Sequence, residues 1–188
     1  MSKLRLGLAL TGSYCSFSKL AQVLPDLCGR FDVLPIFSEN ALKDSRFGEG
    51  GAWLALLENQ SGRKAVTTVA AAEPLGPGGA MDVLAIVPCT GNTLAKLAHG
   101  VTDTAVTMAA KGHLRNGKPL VIGVSTNDGL AGSAENIGRL LNRKNVYLVP
   151  FGQDDPAGKP TSLSCVYDKI AEAVEAAYQG KQLQPILM

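Results

Sequence analysis

Residues 82–93, DVLAIVPCTGNT, run apolar without a break to Pro88 and then open into small polar residues. A helical pattern, LAKLAHG, follows at once. The stretch reads as a buried strand whose carboxyl end feeds a short loop, 89–93, and then a helix N-terminus. Such a junction gathers unbonded backbone N–H groups, the positive end of a helix dipole, and side-chain hydroxyl and amide groups at one point. It suits a phosphate-bearing or otherwise anionic ligand.

Apolar and amphipathic runs alternate on either side of it. Residues 4–10 and 32–37 read as strands, 65–72, rich in Val and Thr, as a third, 82–87 as the fourth, 120–125 as the fifth and 146–149 as a short sixth. Helical spacing predicts helices over 17–28, where Phe17, Leu20, Ala21, Leu24 and Leu27 recur on one side, and over 51–60, 93–99, 103–114 and 134–141. Pro74, Gly76, Pro77, Gly78 and Gly79 mark the turn before the fourth strand, and Gly117 is placed as a helix cap before Pro119. A Pro/Gly/Asp-rich arm, 150–165, leads to a closing helix, 166–179. Strands apolar throughout and separated by helices imply a parallel sheet covered on both faces. The expectation is one α/β domain over 1–188, a single doubly wound parallel sheet. Such sheets place ligands beyond the carboxyl ends of strands, where the winding reverses. Two strand ends carry suitable residues, Thr11–Gly12–Ser13 and 89–93, and they form one site if those strands are neighbours.

Composition narrows the function classes. At 188 residues and 46% apolar, the chain suffices to bury a core. Its charged fraction, 18%, falls below the ~25% of soluble domains, which points to a surface partly covered by other subunits. A net charge of +2 with no basic run argues against nucleic acid. The opening MSKLRLGLALTG reads as a first core strand rather than a signal peptide. No run approaches the ~18 apolar residues of a membrane span. Cysteines at 15, 28, 89 and 165 form no CxxC pair and no metal-ligand spacing, so reduced cytoplasmic thiols and no metal site are expected.

Each candidate residue has a plain alternative. Gly12 and Ser13 lie in a strand-to-helix turn that lacks both GxGxxG and the P-loop pattern, so an ordinary turn with an N-cap serine stays open. Ser38 reads as a cap or as a further hydroxyl over the same pocket. Cys89 is a small buried thiol or a nucleophile at a helix end. Asn92 and Thr93 cap the helix or, in the case of Asn92, offer a donor and an acceptor to a cofactor ring edge. His99 and His113 lie in helical patterns where capping or exposure is expected. STNDGLAGS (125–133) follows the fifth strand on the ligand side. In the arm, Asp154 and Asp155 read as solvated turn acids, with general bases or metal ligands as the alternatives, Lys159 could pair with a carboxylate, and the whole segment is expected to pack on, or reach over, a neighbouring subunit.

These residues carry a family resemblance. PCTGNTLAKLAHGVTD resembles the PASANT-type segment of the FMN-binding, cysteine-decarboxylase-like flavoproteins and the PCS-type segment of flavin prenyltransferases. AEPLGPGGAMDVLAIVPCTGNTLAKLAHGVTD, MAAKGHLRNGKPLVI, STNDGL and NIGRLLNRKNVYLVPFGQDDPAGKPTSL are similar to the family of bacterial dipicolinate synthase B subunits. The resemblance implies a Rossmann-like or flavodoxin-like flavoprotein sandwich of three layers. It implies bound FMN and a homo-oligomer of trimers or their multiples. It also implies a partner, the A subunit of dipicolinate synthase, on which any NAD(P) would reside. The reaction implied is oxidation of a dihydrodipicolinate-type dicarboxylate to dipicolinate during sporulation. Carried over by position, Gly12, Ser13 and Ser38 surround the FMN phosphate. Cys89, Thr90, Asn92 and Thr93 meet phosphate, ribityl chain or ring edge, and Asp103 matches the acid that closes this segment.

Departures from the relatives are informative. The decarboxylase branch has a histidine between the second and third strands, and residues 39–65 hold none. Its PxMNxxMW motif is missing too, with STNDGL standing nearby, which argues against decarboxylation of cysteine derivatives. The prenyltransferase segment continues with lysine where this chain has Asn92. An oxidoreductase subunit is the expectation. The alternatives are a non-catalytic nucleotide-binding or scaffold role and a prenyltransferase-like enzyme. Lys96, Lys111 and Arg115 are candidate cations for the substrate carboxylates.

Overall fold

The apolar run at 82–93 forms a central strand, β3 (Val83–Cys89), with every residue buried. The computed structural model describes residues 3–188, so the first two positions of the expected domain lie outside the described residues. On one side of β3 lies β1 (Leu4–Leu10), followed by β2 (Phe31–Phe37); on the other lies β4 (Leu120–Thr126). The first half of β4 pairs in parallel with β5 (Val146–Leu148), giving the order β2-β1-β3-β4-β5. The last residues of β4 pair antiparallel with β7 (Leu163–Cys165), which in turn pairs with β6 (Phe151–Gly152). The sheet is therefore mixed and seven-stranded, a parallel body with a short antiparallel flank.

Helices cover both faces. α1 (Phe17–Arg30), α2 (Gly50–Ser61) and α7 (Ile170–Tyr178) share one face. The other carries α3 (Val69–Ala72), α4 (Gly91–His99), α5 (Ala105–Arg115) and α6 (Ala134–Leu141). α1 shows why: Phe17, Leu20, Leu24 and Leu27 recur every three or four residues and are all buried. The doubly wound α/β layering expected from the sequence is the one observed. Among the described residues no helix is long and apolar enough to cross a membrane.

Three boundaries differ from expectation. Residues 65–72 do not form a third strand. Val66 makes a single bridge to Ile36, and Thr68 then accepts from the Ala71 N–H and starts α3. Here an N-cap threonine before three alanines prevails over the β-branched residues preceding them. The arm contributes the strands β6 and β7, which its Pro/Gly content had hidden. The closing helix begins with a 3-10 turn, Tyr167–Lys169, before α7.

At their amino ends β1 and β3 are pinned by Asp82, whose carboxylate accepts from the Arg5 backbone N–H (3.0 Å) and guanidinium (2.6 Å). The Arg5 partner holds that carboxyl below its ordinary range. At the end of α5, His113 is buried rather than capping or exposed, and its Nε2–H donates to the Pro119 carbonyl at 2.9 Å. Burial lowers its pKa from 6.5 to about 4, so the ring is neutral at neutral pH. The unfolded chain takes up this proton near pH 6.5 and the folded chain does not, so the contribution to stability is complete above that pH. It is lost as pH falls toward 4, by about 3 kcal/mol in all. Urea denaturation of the native chain and His113→Asn between pH 7.5 and 4 should show the native stability falling more steeply by about that amount.

Candidate functional site

Because β1 and β3 are adjacent, their carboxyl ends emerge side by side. Thr11, which is almost fully buried, joins them. Its hydroxyl donates to the Pro88 carbonyl at 2.7 Å and accepts from the Thr90 N–H at 3.0 Å, and its own N–H reaches Pro88 O at 3.3 Å. The end of β2 is drawn in as well. The Ser38 N–H donates to Leu10 O at 3.0 Å, its Oγ accepts from the Ala41 N–H at 3.3 Å, and the Tyr14 hydroxyl donates to Asn40 O.

A hollow of about 370 Å³ opens over this junction. Gly12, Ser38, Thr90, Asn92, Thr93 and Asp103 all line it, together with Tyr14, Asn40 and Lys96. Thr90 caps α4 by accepting from the Thr93 N–H at 3.3 Å. The first-turn N–H groups of Gly91 and Asn92 have no intrahelical acceptor, as at any helix start. Across the rim, the Lys96 ammonium lies 2.8 Å from Asp103 and holds that carboxyl below its ordinary range.

A second hollow, of about 580 Å³, adjoins the first and shares Gly12, Tyr14 and Thr90 with it. Three hydroxyls cluster in its wall: Ser13 to Ser125 at 2.8 Å, Ser16 to Ser125 at 2.7 Å and Ser13 to Ser16 at 3.3 Å. The Tyr167 hydroxyl is buried against them without a well-formed hydrogen bond. Burial pushes the neighbouring Cys165 thiol up to about 12.

The loop after β4 is clamped to the start of α4. Asp128 accepts from the hydroxyls of Ser133 (2.9 Å) and Thr126. A Cβ on Gly91 would lie 2.6 Å from Ser133 Oγ and 2.9 Å from Asp128 Oδ1, so only glycine lets the two segments approach this closely. The arm is fastened to the same loop of its own chain. The Leu130 N–H donates to Thr161 O at 2.9 Å, and the Thr161 hydroxyl to Asn127 O at 2.7 Å.

Of the residues singled out from sequence, Ser13 lines the second hollow and Cys89 lines neither. Cys89 is fully buried, and burial raises its thiol pKa, so it stays protonated in the core. Its side chain is therefore withdrawn from the expected cofactor contacts. His99, at the end of α4, faces Arg139 at 3.5 Å. Lys111 and Arg115 surround a separate hollow between α4 and α5, and Lys96 reaches both that one and the first. Sequence reasoning missed Lys19, Arg46 and Phe47, which line the second hollow.

The sequence model of the family described as Flavoprotein matches residues 1–175. The dipicolinate synthase B subunit of Bacillus subtilis (strain 168) is 41% identical over 186 residues, covering 98% of this chain and 93% of the relative. The crystal structure of the dipicolinate synthase B subunit from Bacillus halodurans C matches with a TM-score of 0.90 at 38% identity, covering 100% of this chain and 98% of that chain. The crystal structure of the FMN-dependent cysteine decarboxylase SpaF, at 22% identity and a TM-score of 0.67, covers 94% of this chain and 98% of that one and shares the fold.

Thr11→Val preserves shape while leaving the Thr90 N–H and one lone pair of Pro88 O without partners. It should cost about 1–3 kcal/mol, read from the urea midpoint at constant m-value.

Proposed function

The chain belongs to the flavoprotein family and, within it, to the dipicolinate synthase B subunits, and we propose that it holds FMN in the hollow over the β1–β3 junction. With a separate A subunit it would oxidise a dihydrodipicolinate-type dicarboxylate to dipicolinate. The observation that carries this reading is the meeting of the two turns, through Thr11, at the place where the strand order reverses. In the order 2-1-3-4-5 that crevice is where a flavin mononucleotide fits.

The residues present suit the group. The hydroxyls of Ser38 and Thr90 and the first-turn amides of α4 favour a phosphate dianion, while the Lys96 charge offsets the Asp103 carboxylate at the rim. Gly12 keeps the cradle open, since a Cβ there would come within 3.2 Å of Asn40. Asn92, exposed at the rim, offers a donor and an acceptor to a ring edge. When bound, FMN supplies an acceptor for the two electrons that leave, with two protons, as a dihydropyridine becomes aromatic. The protein's part is to bind and orient. Any nicotinamide cofactor belongs to the partner. A homo-oligomer, in trimers or their multiples, is supported by the low charge and by exposed Val101, Leu130 and Leu141. Four free cysteines fit a reducing cytoplasm.

Freshly purified protein should show a flavin spectrum or, once stripped, quench FMN fluorescence at one equivalent per chain. Asn92→Ala should weaken that binding about tenfold. A colourless protein that leaves FMN fluorescence unchanged would overturn the reading. Dihydrodipicolinate should turn over only when both proteins are present, and an equal rate from the isolated A subunit would leave this chain a scaffold.

A further inference from the structure

The second hollow gathers three cations from three separate elements: Lys19 from α1, Arg46 from the loop between β2 and α2, and Lys159 from the arm between β6 and β7. Lys19 lies 3.9 Å from Asp154, a carboxylate that also accepts from the Ser162 hydroxyl at 3.1 Å. Among the described residues, Arg46 and Lys159 make no ion pair. They approach from opposite flanks of the sheet, since β2 and β6 end its strand order.

Arg46 is presented deliberately by its backbone. Ser45 and Gly48 exchange two hydrogen bonds, of 3.0 and 3.1 Å, and Gly48 adopts φ +132, so Arg46 and Phe47 form the tip of a tight turn. The guanidinium lies 4.8 Å from the centroid of the Phe47 ring, which is 44% exposed at the mouth, with Tyr14 and Leu163 also in the lining. Behind them stand the Ser13 and Ser125 hydroxyls and the unpartnered hydroxyl of Tyr167. Two uncompensated cations, a hydroxyl-rich wall and one bare aromatic ring define a ligand with two negative charges and a flat apolar body.

We propose that this hollow is the substrate subsite and takes a planar six-membered ring carrying two carboxylates, with Arg46 and Lys159 each engaging one carboxylate and Phe47 lying against the ring. The proposal rests on the flavin reading of the first hollow, because the shared wall of Gly12, Tyr14 and Thr90 sets such a ring beside the cofactor.

The test is calorimetric titration of the full-length chain, with and without FMN, using pyridine-2,6-dicarboxylate in metal-free buffer and pyridine-2-carboxylate as the single-charge comparator. The dicarboxylate should bind about tenfold or more tightly than the monocarboxylate, and Arg46→Gln and Lys159→Gln should each weaken it about tenfold. Lys144→Gln, at the separate hollow between α4 and α5, should leave it unchanged. FMN affinity, followed by fluorescence, should be the same in all three variants. An absence of dicarboxylate binding, unchanged affinity in both the Arg46 and Lys159 variants, or equal affinity for the two ligands would overturn the subsite. Failure of the native chain to bind FMN would instead overturn the flavin reading, and the titration without FMN would still decide the subsite.

Discussion

One buried hydroxyl, that of Thr11, holds together the parts on which everything else rests. Parallel neighbours in a twisted sheet diverge beyond their last paired residues, and the loops that follow them need not meet. Here the Thr11 side chain bonds both to the last carbonyl region of β3 and to the first amide of the next loop. At the other end of the same strands, Asp82 clasps the Arg5 backbone and guanidinium. The pair is thus stitched at both ends. The buried stitch serves the ligand side, where a small displacement would open the wall shared by the two hollows.

The polar chemistry of the chain is concentrated rather than spread. The strands are apolar throughout because both of their faces are covered, so hydroxyls, amides and free charges collect where the strands stop. That separation explains how a chain with so few charged residues can still assemble an anion-seeking region. Its net charge says little, because the relevant cations are those whose charge no neighbouring carboxylate cancels.

Much of this was legible in the sequence, for reasons tied to particular residues. The β3 run could be read because a doubly covered strand has no room for a polar side chain. The loop after it could be read because Thr90, Asn92 and Thr93 are too polar for the core. Cys89 was misplaced because the strand runs on through Pro88: the thiol belongs to the last residue of the doubly covered β3, and Thr90 is the first residue beyond it. Residues 65–72 misled because β-branched residues and helix-starting residues overlap there. Arg46 and Lys19 carry no local signal. A lone cation in a loop or on a helix looks the same whether it faces bulk water or a cleft, and only the tertiary arrangement of β2, α1 and the arm distinguishes the two.

The division of β4 along its length has a dynamic consequence. Its first half belongs to the parallel body, while only Ser125 and Thr126 pair with the returning arm. Lifting that arm breaks a handful of hydrogen bonds at the periphery and none between β1, β2, β3 and β5. Apolar packing rather than the ladder holds it, because Phe151, Leu163 and Cys165 are buried in the core, so the arm stays seated beside the site as long as that core is intact.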